Sequence, residues 1–318
     1  MKLLHKFNNF FSLKTFNNKS IIERLFYALL GVSIFIVLLN NARNSLGIKE
    51  GFEKTGEFVV KKNPEEIYDD FYVDLYDDLV FFQGKNNCEF NIIKNNTNFN
   101  ENSMLLDIGS GTGHHVNMFN KNCKSALGID ISPSMVDKAK SNYPECEYIV
   151  ADAINSMAVQ HQSYTHITCL YFTLYYIKDK YTFFKNCYDW LLPGGHLIIH
   201  LVDRDNFDPI VPAGNPFKIV SPQKYSDERI TSTVVKFHDY EYKSNFEISP
   251  EDSIAVMKEE FKNNKNGDVR KNEHNIFMPT QKKILAQAKE VGFILSEYRE
   301  LDDCGYDDQF IYVLEKPN

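Results

Sequence analysis

A short glycine-rich segment carries the residues of this sequence that are best suited to binding a ligand. The apolar run from Met104 to Ile108 contains Asp107 and leads directly into alternating glycines. Glycine permits positive φ and lets a ligand approach the backbone closely. A helix starting after such a loop offers free N–H groups to a polar ligand. The pattern therefore predicts a nucleotide or nucleoside site whose loop consists of Gly109, Ser110, Gly111 and Gly113.

Two further carboxylates follow later apolar runs. Asp130 comes about 20 residues after the glycine loop, where an acidic residue can bind ribose hydroxyls, and Asp152 follows the run 148–151. The spacing G-x-G-x-G differs from the G-x-G-x-x-G of dinucleotide-binding proteins. Asp107 also suits an amino group better than a pyrophosphate. An ordinary strand–helix turn with incidental acids and a dinucleotide dehydrogenase are the alternatives.

Alternating strands and helices must position these residues. Strands are expected near 103–108, 125–131, 147–151, 166–172 and 196–202, with helices between them. This order predicts an α/β fold with a doubly wound, mainly parallel sheet, whose cleft lies at the carboxyl ends of the strands. A lead-in helix from Pro64 to Val80 carries Tyr68, Tyr72 and Tyr76 on its apolar face. The asparagine-rich segment 83–102 is expected to be a loop.

The order of these motifs resembles that of the class I S-adenosylmethionine-dependent methyltransferases. The resemblance covers about residues 64–203 and 279–318 and includes a Leu-Pro-Gly-Gly turn at 192–195. It implies the Rossmann-like fold of that family, methyl transfer and S-adenosylmethionine as cofactor. Asp107 and Gly109 would hold the methionine moiety, and Asp130 the ribose. The full set of cofactor-binding residues it implies is Tyr72, Asp107, Gly109, Ser110, Gly111, Gly113, Asp130, Ile131, Asp152, Ala153 and Tyr171.

Methyl transfer needs a base only when the acceptor carries a proton at working pH. The candidate catalytic residues are Tyr171, His200, Asp203 and His274. No cysteine pair has the spacing of a metal site, so no metal is expected. The six cysteines are expected to be free and mostly buried thiols, which favours a reducing compartment.

Residues 204–278 separate the fifth strand from the next clear helix. Apolar residues alternate on both sides of His238-Asp239, which predicts a hairpin, and further strands are expected near 254–261 and 275–278. A small antiparallel sheet would then form an insertion or lid over the cleft. In the family that the chain resembles, such an insertion shapes the acceptor pocket. The helix 281–291 and a final antiparallel hairpin would complete the 64–203 plus 279–318 domain.

The N-terminal residues favour a membrane anchor. Residues 1–24 are basic, residues 25–39 form an uncharged apolar run, and residues 40–63 read as a linker. The alternatives for this region are a cleaved signal peptide or mitochondrial-type presequence, and a buried core helix. The basic flank predicts that the domain is exported. The methyl donor is kept mainly in the cytosol and in organelle matrices, so we expect a single-pass membrane protein with a cytosol-facing domain. A mitochondrial or lumenal location is the alternative.

The charge distribution bears on the partners. The chain has a net charge of −8, and residues 1–49 hold seven basic residues against one acid, so the remainder is strongly acidic. An acidic body matches nucleic acid poorly, and none is expected as a partner. We expect a small-molecule acceptor, with lipid-like or quinone-like molecules among the candidates. A protein methyltransferase and a non-catalytic membrane adaptor that keeps the fold are the alternatives.

Overall fold

The computed structural model describes residues 60–214, 221–249 and 253–318. Its strands are β1 (Val60–Lys61), β2 (Met104–Ile108), β3 (Ser125–Asp130), β4 (Glu147–Val150), β5 (Tyr164–Cys169), β6 (Leu191–Val202), β7 (Ser232–Lys236), β8 (Tyr240–Ile248), β9 (Ile254–Asn263), β10 (Val269–Phe277), β11 (Ile294–Leu301) and β12 (Tyr306–Glu315). Its helices are α1 (Pro64–Ile67), α2 (Asp70–Val80), α3 (Gln83–Asn96), α4 (His114–Asn120), α5 (Pro133–Asn142), α6 (Thr173–Tyr176), α7 (Lys180–Trp190) and α8 (Gln281–Val291).

Seven strands form the sheet that carries the predicted cleft. Their order is β11-β12-β6-β5-β2-β3-β4. The strands β2 to β6 pair in parallel, and β12 runs antiparallel to both β6 and β11. Parallel neighbours joined through helices bring the carboxyl ends of β2, β3, β4 and β5 to one edge. The predicted α/β architecture and the final antiparallel hairpin are confirmed.

A second sheet has the order β1-β10-β9-β8-β7 and is antiparallel except for the β1–β10 pair. It contains the hairpin expected around His238-Asp239. Buried residues of this sheet, such as Phe246 and Ile276, belong to the same apolar core as Leu197 and Ile199 of the first sheet. This shared core places the second sheet against the first. The proposed domain boundaries, 203/204 and 278/279, stay a prediction.

The expected lead-in helix is interrupted at Tyr68. The Asp69 side chain accepts a hydrogen bond from the backbone N–H of Tyr72 and so caps α2. The same carboxylate binds the Arg270 guanidinium at 2.8 and 2.9 Å. A cap that also holds a distant arginine favours a break over a continuous helix.

The prediction of a loop over 83–102 is wrong for the residues of α3. Apolar periodicity is weak in this segment because α3 buries polar side chains. Lys85 and Glu89 form a buried ion pair, and the Glu89 carboxylate also binds His115 Nε2 at 3.0 Å. A helix whose inward face consists of mutually satisfied charges carries no apolar stripe.

The expectation that all cysteines are free is also wrong. Cys88 of α3 and Cys304, in the turn between β11 and β12, form a disulfide with a Cα–Cα distance of 6.1 Å. The two cysteines are 216 residues apart in sequence, so only the tertiary fold pairs them. The remaining cysteines, Cys123, Cys146, Cys169 and Cys187, are free as expected.

The predicted membrane anchor, 25–39, and most of the linker, 40–63, lie outside the described residues. Among the residues that the structure describes, no helix has both the length and the apolar character needed to cross a membrane.

Candidate active site

The glycine loop is held by the strand next to it. The backbone N–H groups of Gly109 and Ser110 donate to the carbonyl of Ile129, at 2.8 and 3.0 Å. The N–H of Gly111 donates to one Asp130 oxygen at 2.9 Å, and the N–H of Ser132 donates to the other at 2.9 Å. Asp130 therefore fixes the loop and keeps further acceptor positions on both carboxylate oxygens.

The three glycines of the loop have positive φ, but their surroundings differ. A Cβ at Gly109 (φ +70°) would lie 2.4 Å from the Thr173 side chain. At Gly111 (φ +52°) the nearest atom, on the Tyr76 ring, would be 3.8 Å away. The backbone at Gly111 is thus open to an approaching ligand, whereas Gly109 is needed for packing.

A cavity of about 560 Å³ lies at the carboxyl ends of the strands. Its wall includes the predicted residues Tyr72, Gly109, Gly111, Asp130, Ile131, Asp152, Ala153, Tyr171 and His200. Asp107 and Ser110 line a small pocket of about 60 Å³ that shares Gly109 and Tyr171 with the cavity. Gly113 lines neither space, and a Cβ there would lie 2.6 Å from the Tyr148 hydroxyl. The roles assigned to these residues stay predictions.

The carboxylates of the cavity and its side pocket differ in environment. Burial raises the pKa of Asp107 to about 6, while the hydrogen bond from Thr168 Oγ1, at 2.6 Å, opposes that rise. Burial also raises the pKa of Asp130, against the backbone hydrogen bonds from Ser132 and Gly111. Asp152 is exposed, and it accepts a hydrogen bond from the backbone N–H of Ile154 at 2.9 Å. Asp107, which is buried, and Asp130, which is half-buried, could each bind a hydrogen-bond donor of a ligand.

His200 lies within β6 and its ring is fully buried. Its Nδ1 binds the carbonyl of Tyr171 at 2.5 Å, and its Nε2 binds the Gln309 amide oxygen at 3.0 Å. Burial lowers the pKa of His200 to about 4, so the ring is neutral at physiological pH. Both nitrogens have protein partners, which suits a positioning role better than proton transfer.

Tyr171 and Asp203 also have protein partners. The Tyr171 hydroxyl donates to the Asn86 amide oxygen at 2.6 Å, and the Lys85 ammonium lies 3.9 Å from the ring centre. The Asp203 carboxylate accepts hydrogen bonds from Asp205 and Asn206 and does not line the cavity. Asp203 therefore organises the turn after β6.

His274 lies behind the cavity wall and connects it to a buried carboxylate. Its Nδ1 lies 2.7 Å from the Tyr176 hydroxyl, and its Nε2 lies 2.7 Å from a carboxylate oxygen of Glu259. Tyr68 and Tyr176 line the cavity, and the Tyr68 hydroxyl donates to that of Tyr176 at 3.1 Å.

Sequence reasoning missed Glu259. Ala255 and Phe261 are buried on one face of β9, and Glu259 falls on the same face of the period-2 pattern. This phase is a signal that could have marked Glu259 as an inward-facing acid.

One side of the cavity is apolar. The lining residues Phe207, Phe246 and Ile276 belong to one buried apolar cluster, Met257 packs against it, and Val211 also lines the cavity. The acids nearby are held by protein groups: Asp208 accepts hydrogen bonds from Ser221 and Gln223, and Asp179 caps α7. This side, which we call the apolar half, suits an uncharged hydrocarbon body.

Comparison with known proteins finds a family match for the part of the chain that carries the glycine loop and the three carboxylates. A family profile described as a methyltransferase domain matches residues 106–199. The trans-aconitate 2-methyltransferase of Escherichia coli is 29% identical over 102 residues, or 31% of this chain. The match spans only 39% of that protein's length.

Solved structures match a larger share of the chain. A S-adenosylmethionine-dependent methyltransferase from Clostridium acetobutylicum covers 78% of this chain and 98% of its own, with 16% identity and a TM-score of 0.57. The sugar N-methyltransferase KedS8 from Streptoalloteichus covers 84% and 100%, with 19% identity and a TM-score of 0.58. The amino pentose methyltransferase CalS10 from Micromonospora echinaspora, solved with S-adenosylmethionine bound, covers 80% and 100%, with 17% identity and a TM-score of 0.56. At these identities the likeness shows a shared fold.

Proposed function

Because the chain belongs to the class I S-adenosylmethionine-dependent methyltransferase family, we propose that it transfers a methyl group from S-adenosylmethionine to a small molecule. The observation that carries the proposal is the geometry of Asp130. Both of its oxygens accept backbone hydrogen bonds, and it lines a cavity next to the open backbone of Gly111. A carboxylate so fixed is suited to a ribose diol.

The residues of the site fit this cofactor. Asp130 would bind the ribose hydroxyls and Asp152 the adenine amino group, with Ile131 and Ala153 beside the ring. Asp107 would hold the amino group of the methionine moiety from the side pocket. The presence of carboxylates at both the ribose and the amino-group positions supports S-adenosylmethionine over a dinucleotide, whose pyrophosphate would meet Asp107.

S-adenosylmethionine supplies, when bound, a methyl group on a positively charged sulfur. The protein's own contribution is mainly alignment, because holding two reactants in line removes much of the entropic barrier. The rings of Tyr68, Tyr72, Tyr76 and Tyr176 line the cavity. Their π faces could favour a cation, and their bulk excludes water.

The proposal is tested by calorimetric binding of S-adenosylhomocysteine to the full chain and to Asp130→Ala. We expect micromolar binding to the wild type. We expect at least about 30-fold weaker binding to the variant, since hydrogen bonds to a charged group contribute about 1.5–3 kcal/mol each. Asp137→Ala is the matched control, because Asp137 is an exposed acid on the neighbouring helix α5. A folded wild-type chain that does not bind the ligand would contradict the proposal.

The finer part of the proposal concerns the acceptor and the membrane. We infer that residues 25–39 anchor the protein and that the catalytic domain faces the cytosol, where the methyl donor is made, although the Cys88–Cys304 disulfide removes the argument for a reducing compartment that rested on free thiols. The uncharged run 25–39 and the apolar half support a lipid-like or quinone-like acceptor. Carbonate extraction should leave the full chain with membranes and release a chain that lacks residues 1–49. Protease added to sealed membranes from the cytosolic side should digest the domain, and protection of the domain would contradict this orientation.

A further inference from the structure

A line of hydrogen bonds runs from the cavity wall into the second sheet. Its members come from three separate parts of the chain and are, in order, Tyr68, Tyr176, His274 and Glu259. We name this line the relay. Resting on the proposed methyl transfer, we propose that the acceptor is an apolar hydroxyl compound and that the relay removes its proton.

The hydrogen bonds of the relay share one direction. The Tyr68 hydroxyl donates to that of Tyr176, which lies 2.7 Å from His274 Nδ1. Because the ionised Glu259 carboxylate can only accept, the ring proton of a neutral His274 lies on Nε2, and Nδ1 is left to accept from the Tyr176 hydroxyl. A proton that enters at Tyr68 can therefore displace the next one at each step and end on His274.

Glu259 is equipped to hold the positive charge that would form on His274. Its carboxylate is fully buried and accepts hydrogen bonds from Tyr72, Tyr242, Asn272 and His274. Burial raises the pKa of Glu259, but the positive charge that His274 carries once it is protonated, together with the hydrogen bonds from His274, Tyr242 and Asn272, keeps this pKa below the ordinary value. An ionised carboxylate beside the ring stabilises an imidazolium, as in other carboxylate–histidine pairs.

The Tyr68 end of the relay lies between the cofactor-binding candidates and the apolar half of the cavity. The Ser132 hydroxyl donates to the Tyr68 carbonyl at 2.6 Å, and Ser132 follows the ribose-binding candidate Asp130 by two residues. Tyr176 ends α6, close to Phe172 and Ile177 of the cavity wall. An acceptor atom beside these hydroxyls would be next to both the cofactor residues and the apolar half.

The chemistry of the wall favours a hydroxyl group on the acceptor. The apolar half would penalise a charged ammonium group, because the acids Asp179 and Asp208 are already held by protein donors. A neutral hydroxyl avoids that penalty. A hydroxyl oxygen is also a weak nucleophile until its proton is removed, so methyl transfer to it would require a base such as the relay.

The acceptor O–H bond breaks and its proton passes to the Tyr68 oxygen, while the Tyr68 proton passes to Tyr176 and the Tyr176 proton to His274 Nδ1. A lone pair of electrons on the acceptor oxygen forms the new O–CH3 bond. The methyl–sulfur bond breaks, its electron pair staying with sulfur. The imidazolium later returns its proton to solvent by the same route after product leaves. Burial keeps the pKa values of Tyr68 and Tyr176 well above their usual range, so neither hydroxyl is ionised at rest.

The test uses two phenols that differ in acidity. Methyl transfer from labelled S-adenosylmethionine to 4-methylphenol, which stays neutral, is compared with transfer to 4-nitrophenol, which is ionised above neutral pH. Tyr176→Phe and His274→Gln should lower kcat for 4-methylphenol about 100-fold, at the lower end of general acid–base contributions. Both variants should lower kcat for 4-nitrophenol far less. His274→Gln keeps a hydrogen-bonding side chain but cannot take up a proton.

Tyr242→Phe is the matched control. It also removes a hydrogen bond to Glu259, at 2.7 Å, but Tyr242 does not line the cavity and is not part of the relay. It should change both phenol rates by the same factor. Binding of S-adenosylhomocysteine and a melting curve accompany every variant, so that a folding defect is recognised.

The outcomes separate this inference from the proposed function. A wild-type chain that binds S-adenosylhomocysteine but methylates neither phenol, or methylates benzylamine instead, overturns the hydroxyl acceptor and leaves methyl transfer standing. Equal loss for both phenols in Tyr176→Phe and His274→Gln overturns the relay. Loss confined to 4-methylphenol supports it. Failure to bind S-adenosylhomocysteine at all contradicts the proposed function itself.

Discussion

Two buried carboxylates, Asp107 and Glu259, belong to the two sides of the site and have different environments. Asp107 accepts a hydrogen bond from Thr168, and its burial raises its pKa to about 6. Glu259 accepts four hydrogen bonds and has a lowered pKa. A buried acid with few protein donors is disposed to bind a donor from a ligand, whereas a saturated acid holds charge inside the protein.

The two sides also differ in how the chain builds them. On the cofactor side, the glycine loop and Asp130 are held in place by backbone groups of one continuous stretch, from Asp107 to Ser132. The other side depends on side chains that are distant in sequence: the Tyr72 hydroxyl binds Glu259 across 187 residues. Loss of one member should therefore affect binding on the first side and stability on the second.

The largest effect is expected at Glu259. Replacing it by glutamine puts an amide N–H against the donors that surround it, so that buried donors lose their acceptor. We expect a loss of about 2–4 kcal/mol in the free energy of unfolding, since each buried donor left without an acceptor costs about 1–3 kcal/mol. Denaturant unfolding measures it.

Glu260→Gln is the matched control for that prediction. Glu260 is half-buried and pairs with Lys271 at 3.4 Å. A cost within about 0.5 kcal/mol is expected there, as for most surface changes. Equal losses in the free energy of unfolding for Glu259→Gln and Glu260→Gln would mean that Glu259 does not stabilise the second sheet.

A smaller effect is expected at the glycine loop, where two substitutions separate packing from binding. A left-handed backbone costs an alanine about 1–2 kcal/mol. Gly109→Ala adds a clash with Thr173, so it should lower the melting temperature more than Gly111→Ala. Calorimetry with S-adenosylhomocysteine and melting curves without ligand measure both properties.

Gly111→Ala should affect ligand binding more than it affects stability. Its Cβ meets open space, so we expect nearly ordinary stability apart from the backbone strain, but weaker ligand binding because the methyl group enters the cavity. If Gly111→Ala melts at a lower temperature than Gly109→Ala, the assignment of the two glycines is wrong.

The smallest effect concerns pH and Asp107. The ionised carboxylate would pair with the ammonium group of the ligand, so affinity should be full above pH 6. It should fall as pH drops through about 6, by at most tenfold per pH unit. Calorimetry of S-adenosylhomocysteine binding between pH 5 and 8 measures this, with pH values chosen about one unit apart around the pKa.

Asp107→Asn checks the assignment, because it should bind more weakly at neutral pH and lose the pH dependence. The stability of the ligand-free protein should change with pH in the direction opposite to that of the affinity. The pKa of Asp107 is raised in the fold, so its ionisation costs stability, and this cost is relieved as pH falls from about 6 toward the ordinary value of 3.8. A pH-independent affinity in the wild type would contradict the role of Asp107.

The sequence determined the cofactor side because its signals are local. The alternation of strands and helices, the positive-φ glycines and the acids that follow β2, β3 and β4 all lie within about fifty residues. Backbone geometry and strand order are enough to bring Asp107, Asp130 and Asp152 to one edge of the sheet. The family resemblance rests on these residues and is confirmed by the comparisons.

Only the tertiary structure decided the other side. α3 has no apolar stripe because its inward face carries Lys85 and Glu89, and the partner that makes Cys88 a half-cystine lies 216 residues away. In the sequence, Glu259 does not differ from the other acids of a polar strand. Only the tertiary structure surrounds it with Tyr72, Tyr242 and His274. Burial of a charge is favourable only when every partner is in place, and partners so far apart in sequence are brought together by the packing of the two sheets.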